Sequence, residues 1–210
     1  MGYAGDMSST FPVDKTFTDV QKEIYEITLR AHNGAIGMLT PGTHFRDVHL
    51  QAARIIFDGL KDLGFTKGNT SDTVENGAHA LFLPCGTGHL MGLDVHDMEN
   101  LGEQYVGYCG VPKSKQFGLK SLRLGRELKP GFVLTIEPGI YFIPELIDLW
   151  QQSGINKDFI NFDKVNQYRD YGGIRNEEDI LITETGHRIL GKPLAKFIED
   201  VENERLFAFS

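Results

Sequence analysis

Cysteine is nearly absent from this chain of 210 residues: Cys85 and Cys109 are the only two, and no C-x-x-C spacing occurs. That count excludes a disulfide framework and a thiolate zinc cage, and a reducing, cytoplasmic setting is the expectation. Long hydrophobic runs are missing as well. No apolar stretch approaches the roughly 20 residues that cross a bilayer, and Met1 to Asp6 carry neither a basic nor an apolar targeting region, so no membrane partner is expected. Positive charge is the scarcer sign, with 21 Lys and Arg against 29 Asp and Glu and a formal net charge of −8. Without a Lys/Arg-rich run to offset it, that balance argues against nucleic acid as a partner. Internal repeats and low-complexity tracts are also lacking. What remains is an ordinary globular composition, 40% hydrophobic and 24% charged, long enough to bury a core, and a single domain over residues 1–210 is the expectation.

From Thr18 to Met38 the apolar residues Val20, Ile24, Ile27, Ala31, Ala35 and Met38 recur every three or four positions, predicting an amphipathic helix. Thr18 is placed to cap it, with Gln21 at the capping-box position. Pro41-Gly42 breaks the pattern. A second helix is predicted over Phe45 to Leu63, with Val48, Ala52, Ile55, Ile56 and Leu60 as its stripe and Gly64 beyond its end. After Gly77 short apolar runs punctuated by Gly and Pro read as strands: Ala78 to Leu83, Val133 to Ile136, Ile140 to Ile143 and Ile180 to Thr183. The stretches 102–122 and 151–170 read as loops. Helices first and strands later, without βαβ alternation, predict an α+β domain with its sheet covered by helices, not a Rossmann fold.

Four segments carry chemistry. In Gly172-Gly173-Ile174-Arg175-Asn176-Glu177-Glu178-Asp179, strand alternation puts Arg175, Glu177 and Asp179 on one face. Such a charged face next to an apolar strand either binds something or protects a solvated edge. Leu134-Thr135-Ile136-Glu137-Pro138-Gly139 ends a strand with a carboxylate before a turn, a functional position or an ordinary surface one. Cys85-Gly86-Thr87-Gly88-His89-Leu90-Met91-Gly92-Leu93-Asp94-Val95-His96-Asp97 holds two histidines that face opposite ways on a regular strand; a bend at Gly92 brings them together, and otherwise one is buried and one exposed. Asp6, in Tyr3-Ala4-Gly5-Asp6-Met7-Ser8-Ser9-Thr10, is a candidate carboxylate that could equally be a turn former. Taken together, Asp6, His89, Glu137 and Glu177 give three carboxylates and one imidazole, an oxygen-rich set suited to paired Mn, Co, Fe or Zn rather than a structural zinc. Paired divalent metals activate water and polarise carbonyls, which is hydrolase chemistry.

The order of these motifs, from Tyr3-Ala4-Gly5-Asp6 through Gly-Leu-Asp-Val-His-Asp and Glu-Pro-Gly to Arg-x-Glu, resembles the pita-bread metallopeptidases, specifically Xaa-Pro aminopeptidases and prolidases. Methionine aminopeptidases and creatinase share that fold, but the Gly-Leu-Asp-Val-His-Asp run is closer to the proline-directed branch. The resemblance implies a curved, mostly antiparallel sheet covered by helices. It implies Asp6 and Glu177 as metal-bridging carboxylates, with His89 and Glu137 as the other ligands. It also implies His96 as the residue meeting the substrate at the scissile bond, and Arg175 as a support for the site. The cofactors implied are two divalent metals, Mn first and Co or Zn as alternatives.

Three departures stand out. The family's further metal-binding aspartate lies just upstream of Asp6, before Met1, so the first strand region and an N-terminal domain are expected to be absent and metal occupancy reduced. Cys85 stands where the family has a substrate-handling histidine. Asn176 replaces an apolar residue within Arg-x-Glu, which leaves Glu178 as a rival to Glu177. The implied function is hydrolysis of a proline-containing peptide or dipeptide next to proline, with Glu137 or Glu177 taking up a proton and this chain weakly active or inactive. The alternative is a metal-free pita-bread module that binds peptides or acts as a scaffold. An exposed sheet edge would allow a homo-oligomer.

Overall fold

The computed structural model describes residues 2–209. Two long helices come first, α1 (Asp19–Ile36) and α2 (Phe45–Asp62). Thr18 closes a full capping box with Gln21 at the start of α1, and Gly64, at φ 80°, turns the chain after α2. Both helices bury most of the stripes predicted for them, Ile24, Ile27, Ala31 and Ala35 on α1 and Val48, Ala52, Ile56 and Leu60 on α2, while Val20 is exposed, Ile55 is half-buried and Met38 lies beyond the end of α1. Glycine lets the two pack closely, since a Cβ on Gly34 would stand 2.3 Å from Ile55 and one on Gly59 2.7 Å from Ile27.

The strands follow as β1 (Val133–Ile136), β2 (Gly139–Phe142), β3 (Gly172–Arg175), β4 (Glu178–Ile182) and β5 (His187–Ile189), all paired antiparallel. One sheet has the order β1-β4-β5 and the other pairs β2 with β3. The two belong to one interrupted ribbon. Ile136 pairs with Glu178 and Gly139 with Arg175, so Glu137-Pro138 on one strand face Asn176-Glu177 on the other where the ladder opens. Helix α1 packs on β1, β2 and β3. This is the expected α+β architecture, open antiparallel sheets covered by helices, and its core runs continuously from Ile24 and Phe45 to Leu134, Ile140 and Ile180.

Several expectations fail locally. Ala78 to Leu83 is not a strand but a 3₁₀ turn over Ala78–Leu81. Every residue from Ala78 to Leu83 is buried, and an apolar run without alternation does not distinguish the two. The 151–170 stretch is not a loop: α3 (Pro144–Ser153) enters it and α4 (Phe162–Asn166), capped by Asn161, lies within it. Segment 102–122 is largely irregular, as expected, with one α-helical turn at Glu103–Val106 and a 3₁₀ turn at Leu119–Ser121. A C-terminal helix, Ile198–Ala208, buries only Val201 and so shows no stripe in sequence.

Candidate metal centre

The opening of the ribbon builds the site. Pro138 has no N–H to give, and the neighbouring N–H groups leave the ladder for other segments: Glu137 N–H donates to the Thr87 carbonyl (2.9 Å) and Glu177 N–H to the Ser8 carbonyl (2.9 Å). Each carboxylate is thereby fixed by a third strand of chain. Residues 87–91 run antiparallel along β1, with Thr135 N–H on His89 O and Met91 N–H on Val133 O, each at 3.0 Å. His89 is therefore brought beside Glu137 by backbone pairing. On the other side, residues 4–10 are pinned by Ala4 N–H to Gly92 O (2.8 Å), by Asp6 N–H to the Asp179 carboxylate (3.2 Å) and by the Thr10 hydroxyl to Arg175 O (2.8 Å).

The result is a cluster in which ligand atoms of Asp6, His89 and Glu177 all lie within 4.8 Å of one another. His89 Nε2 is 3.3 Å from Asp6 Oδ2 and 3.4 Å from Glu137 Oε1, so the fourth expected residue is present too. Glu137 also accepts from the Thr135 hydroxyl (3.2 Å) and pairs with Arg175 Nη1 (2.9 Å). Glu177 Oε2 accepts from Ser8 (2.5 Å), while its Oε1 is buried without a partner.

These residues fit a cation. His89 Nδ1 faces the Leu90 carbonyl at 3.1 Å, so a proton on Nδ1 turns Nε2 toward the Asp6 and Glu137 carboxylates. A cation held there would take Nε2 and the carboxylate oxygens together, and the Leu90 contact is the usual support for a ligating imidazole. Burial pushes Glu177 up to about 7, and Glu137 and Asp6 nearby push it the same way against the Ser8 hydrogen bond. Glu137 is raised chiefly by burial, with Arg175 opposing. Carboxylates this costly to ionise in a protein-only site are stabilised by a metal.

Other expected residues fall as follows. A bend at Gly92 returns the chain, with Asp97 N–H on Leu90 O (3.0 Å), and it stacks His96 edge-on against His89 with ring centroids 4.3 Å apart. His96 is exposed at the mouth of the cluster, its pKa lowered by desolvation and then by His89 and Arg123. Cys85 is half-buried, facing Arg175 and Glu137, and burial raises its thiol pKa. Arg175 contacts Glu137 rather than Glu177. Glu178 points elsewhere, to a buried pair with Lys196. Asp179 is not in the ligand cluster but holds Asp6 by its backbone. Sequence reading missed Ser8, Thr135 and Tyr141, whose hydroxyls hold Glu177, Glu137 and Arg175. Ser8 and Thr135 stand two residues from an acid, which could have signalled them; Tyr141, opposite Gly173, had no such signal.

Residues 1–184 match the family profile of metallopeptidase family M24. The chain belongs to that family. Among curated M24-like relatives, it is 36% identical over 200 residues to Xaa-Pro dipeptidase of Homo sapiens, covering 95% of this chain and 39% of the relative. It is 37% identical over 201 residues to Xaa-Pro aminopeptidase of Escherichia coli, covering 96% and 37%. Solved structures agree. Zn-substituted E. coli aminopeptidase P in complex with product superposes with a TM-score of 0.73 at 35% identity, covering 98% of this chain and 39% of that one. The same enzyme with the inhibitor Pro-Leu gives 0.74 at 35%, covering 99% and 39%. The chain thus spans about two fifths of the length of these M24 relatives.

Proposed function

We propose that this chain carries the catalytic centre of a metal-dependent exopeptidase that hydrolyses peptide bonds next to proline, as an Xaa-Pro aminopeptidase or an Xaa-Pro dipeptidase. The convergence of Asp6, His89 and Glu177 within 4.8 Å, with Glu137 on the same imidazole nitrogen, supports this reading above all. Asp6, His89 and Glu177 would hold a first divalent cation. Glu137, shared with Arg175 and Thr135, would complete the site for a second, held more weakly where those partners compete for its oxygens. An oxygen-rich set with one imidazole favours Mn, with Co or Zn as substitutes. When bound, the metal pair supplies Lewis acidity toward water and the scissile carbonyl.

The chain's own residues do the rest. Glu177 or Glu137, both lining the cluster beside His89, takes a proton from the attacking water. His96, at the open mouth, donates toward the carbonyl oxygen as charge develops there. Cys85 lines the substrate side of Arg175 in place of a stronger proton carrier. Cys85 and Cys109 are both free thiols, which supports a reducing, cytoplasmic setting. Among the described residues no helix is long and apolar enough to cross a membrane.

The test is elemental analysis of the purified chain after dialysis against Mn, Co or Zn, run beside hydrolysis of Xaa-Pro dipeptides and of longer Xaa-Pro peptides. The expected result is at most one metal held tightly per chain, a second bound only at higher concentration, and hydrolysis that is weak or absent and rises only with the second. A chain that takes up no metal yet binds Xaa-Pro peptides would replace the enzyme with the scaffold reading.

A further inference from the structure

Glu177 sits between two polar side chains of a kind that a core rarely keeps. Every second residue from Ile174 to Ile182 turns onto the core face of β3 and β4, and all of them are buried. Ile174, Ile180 and Ile182 are apolar, but Asn176 is fully buried and Glu178 is 4% exposed. Glu177 turns the other way, into the ligand cluster.

Both polar neighbours lead to one residue. Lys196, on the segment that follows β5, is itself buried, and its Nζ pairs with Glu178 Oε1. The Lys196 carbonyl accepts from the hydroxyl of Tyr25, a fully buried residue of α1, at 2.8 Å, and the same hydroxyl lies 3.5 Å from Asn176 Oδ1. Lys196 thus holds the residue after Glu177 directly and the residue before it through Tyr25.

Such a network is a poor source of net stability. Well-packed apolar side chains of similar volume often replace a buried ion pair at no cost, and here Asn176 Nδ2 and Glu178 Oε2 are buried without partners as well. What the network supplies is a fixed backbone where the sheet supplies none: β3 ends at Arg175, β4 begins at Glu178, and Glu177 N–H leaves the ladder for Ser8.

We propose that Lys196 is a positioning residue of the metal centre: it anchors Glu178 through its ammonium and Asn176 through Tyr25, and so sets the backbone of the ladder break from which the Glu177 carboxylate reaches the cation. The proposal rests on the reading of Glu177 as a ligand of the first cation. It ties the geometry of the site to a segment that meets the ribbon from its core side.

Four forms of the chain decide it: the unaltered protein, Glu177→Gln, Tyr25→Phe and the double variant Lys196→Met/Glu178→Leu. Each is titrated with Co²⁺, whose visible absorption reports both affinity and ligand geometry, and its thermal unfolding is recorded in EDTA. The double variant exchanges the ion pair for two apolar side chains without leaving a charge unpaired, and Tyr25→Phe keeps the ring and removes only the hydroxyl. Both are expected to hold Co²⁺ at the first site about 10-fold more weakly, the lower end of what groups supporting a ligand contribute, with a shifted absorption band and a metal-free chain still fully folded at the temperature of the titration. Unchanged Co²⁺ affinity and spectrum in either variant overturns the proposal. So does a weakened site in a chain that is already unfolding without metal, which marks a packing role; where the double variant does not fold, Tyr25→Phe decides alone. A Glu177→Gln chain that binds Co²⁺ like the unaltered one, or an unaltered chain that binds none, overturns the reading of the centre itself, and the proposal with it.

Discussion

His96 and His89 are seven residues apart and nearly in contact, yet their surroundings assign them different work. His89 is 3% exposed, locked by Leu90 and aimed at carboxylates; His96 is exposed and packs edge-on against the His89 ring. Replacing His96 with Ala is therefore expected to leave Mn²⁺ content intact and lower kcat by about 10²-fold or more, the usual loss when a donor to developing charge is removed. Replacing His89 with Ala is expected to remove the first metal. Equal metal loss in both variants would sink the distinction. At this scale the acids and histidines were legible in sequence because few side chains serve as hard-metal ligands. The hydroxyls of Ser8, Thr135 and Tyr141 were not, because nothing local separates them from the many other hydroxyls in the chain. Glu177 was separable from Glu178 by strand alternation alone. The ladder in fact breaks at Glu177, and the alternation held because the break displaces equal numbers of residues on the two strands.

At the scale of elements, the segment 87–91 matters most, since it carries His89 along β1 without being a regular strand. Gly88 is the residue that permits it: a Cβ there would lie 2.1 Å from the Thr135 carbonyl oxygen and 2.7 Å from Phe45. Gly88→Ala must push the segment off β1, breaking the bonds from Thr135 N–H and Glu137 N–H that set both ligands. The expected effect is a loss of about 1–3 kcal/mol in unfolding free energy, the range for overpacking a filled site, together with weaker Mn²⁺ binding. Denaturant unfolding with and without Mn²⁺ separates the two, and an unperturbed Gly88→Ala chain would show that the pairing is not needed. The helices α1 and α2 could be read from sequence because each buries one stripe. The segment 78–83, α4 and the C-terminal helix could not: the first is buried all round, the second is short and set by an Asn161 cap, and the third buries only Val201 and is otherwise tied down by Glu202 to Phe17 and Lys22 and by Arg205 to Val13.

Across the whole molecule the pH response is governed by histidines remote from the ribbon. His49 and His79 are fully buried, with ring centroids 6.0 Å apart, and His32 is 1% exposed. Burial lowers His49 to about 3 and His32 and His79 to about 4, and His79 adds to the shift of His49. The unfolded chain protonates all three near their ordinary value of 6.5. Above that pH neither state is charged and the histidines contribute nothing to the balance. Below it the unfolded state gains protons that the folded state refuses, so stability falls with pH from about 6.5 down to about 4, each histidine adding a slope of up to about 1.4 kcal/mol per pH unit. Glu177 has the opposite sign. With its folded pKa raised to about 7 against an ordinary 4.5, it holds a proton the unfolded chain lacks between those values and offsets roughly one histidine when metal is absent. Glu137 and Asp179 are raised by burial too and add to that offset, but among these carboxylates only Glu177 is shifted far, so the three histidines still dominate and the metal-free protein is expected to lose stability from pH 6.5 to 5. Urea unfolding in EDTA at half-unit steps measures this. His79→Leu, which keeps an apolar side chain in the pocket, is expected to flatten the slope by about one proton; the same slope with and without His79 would remove the buried histidines as its cause.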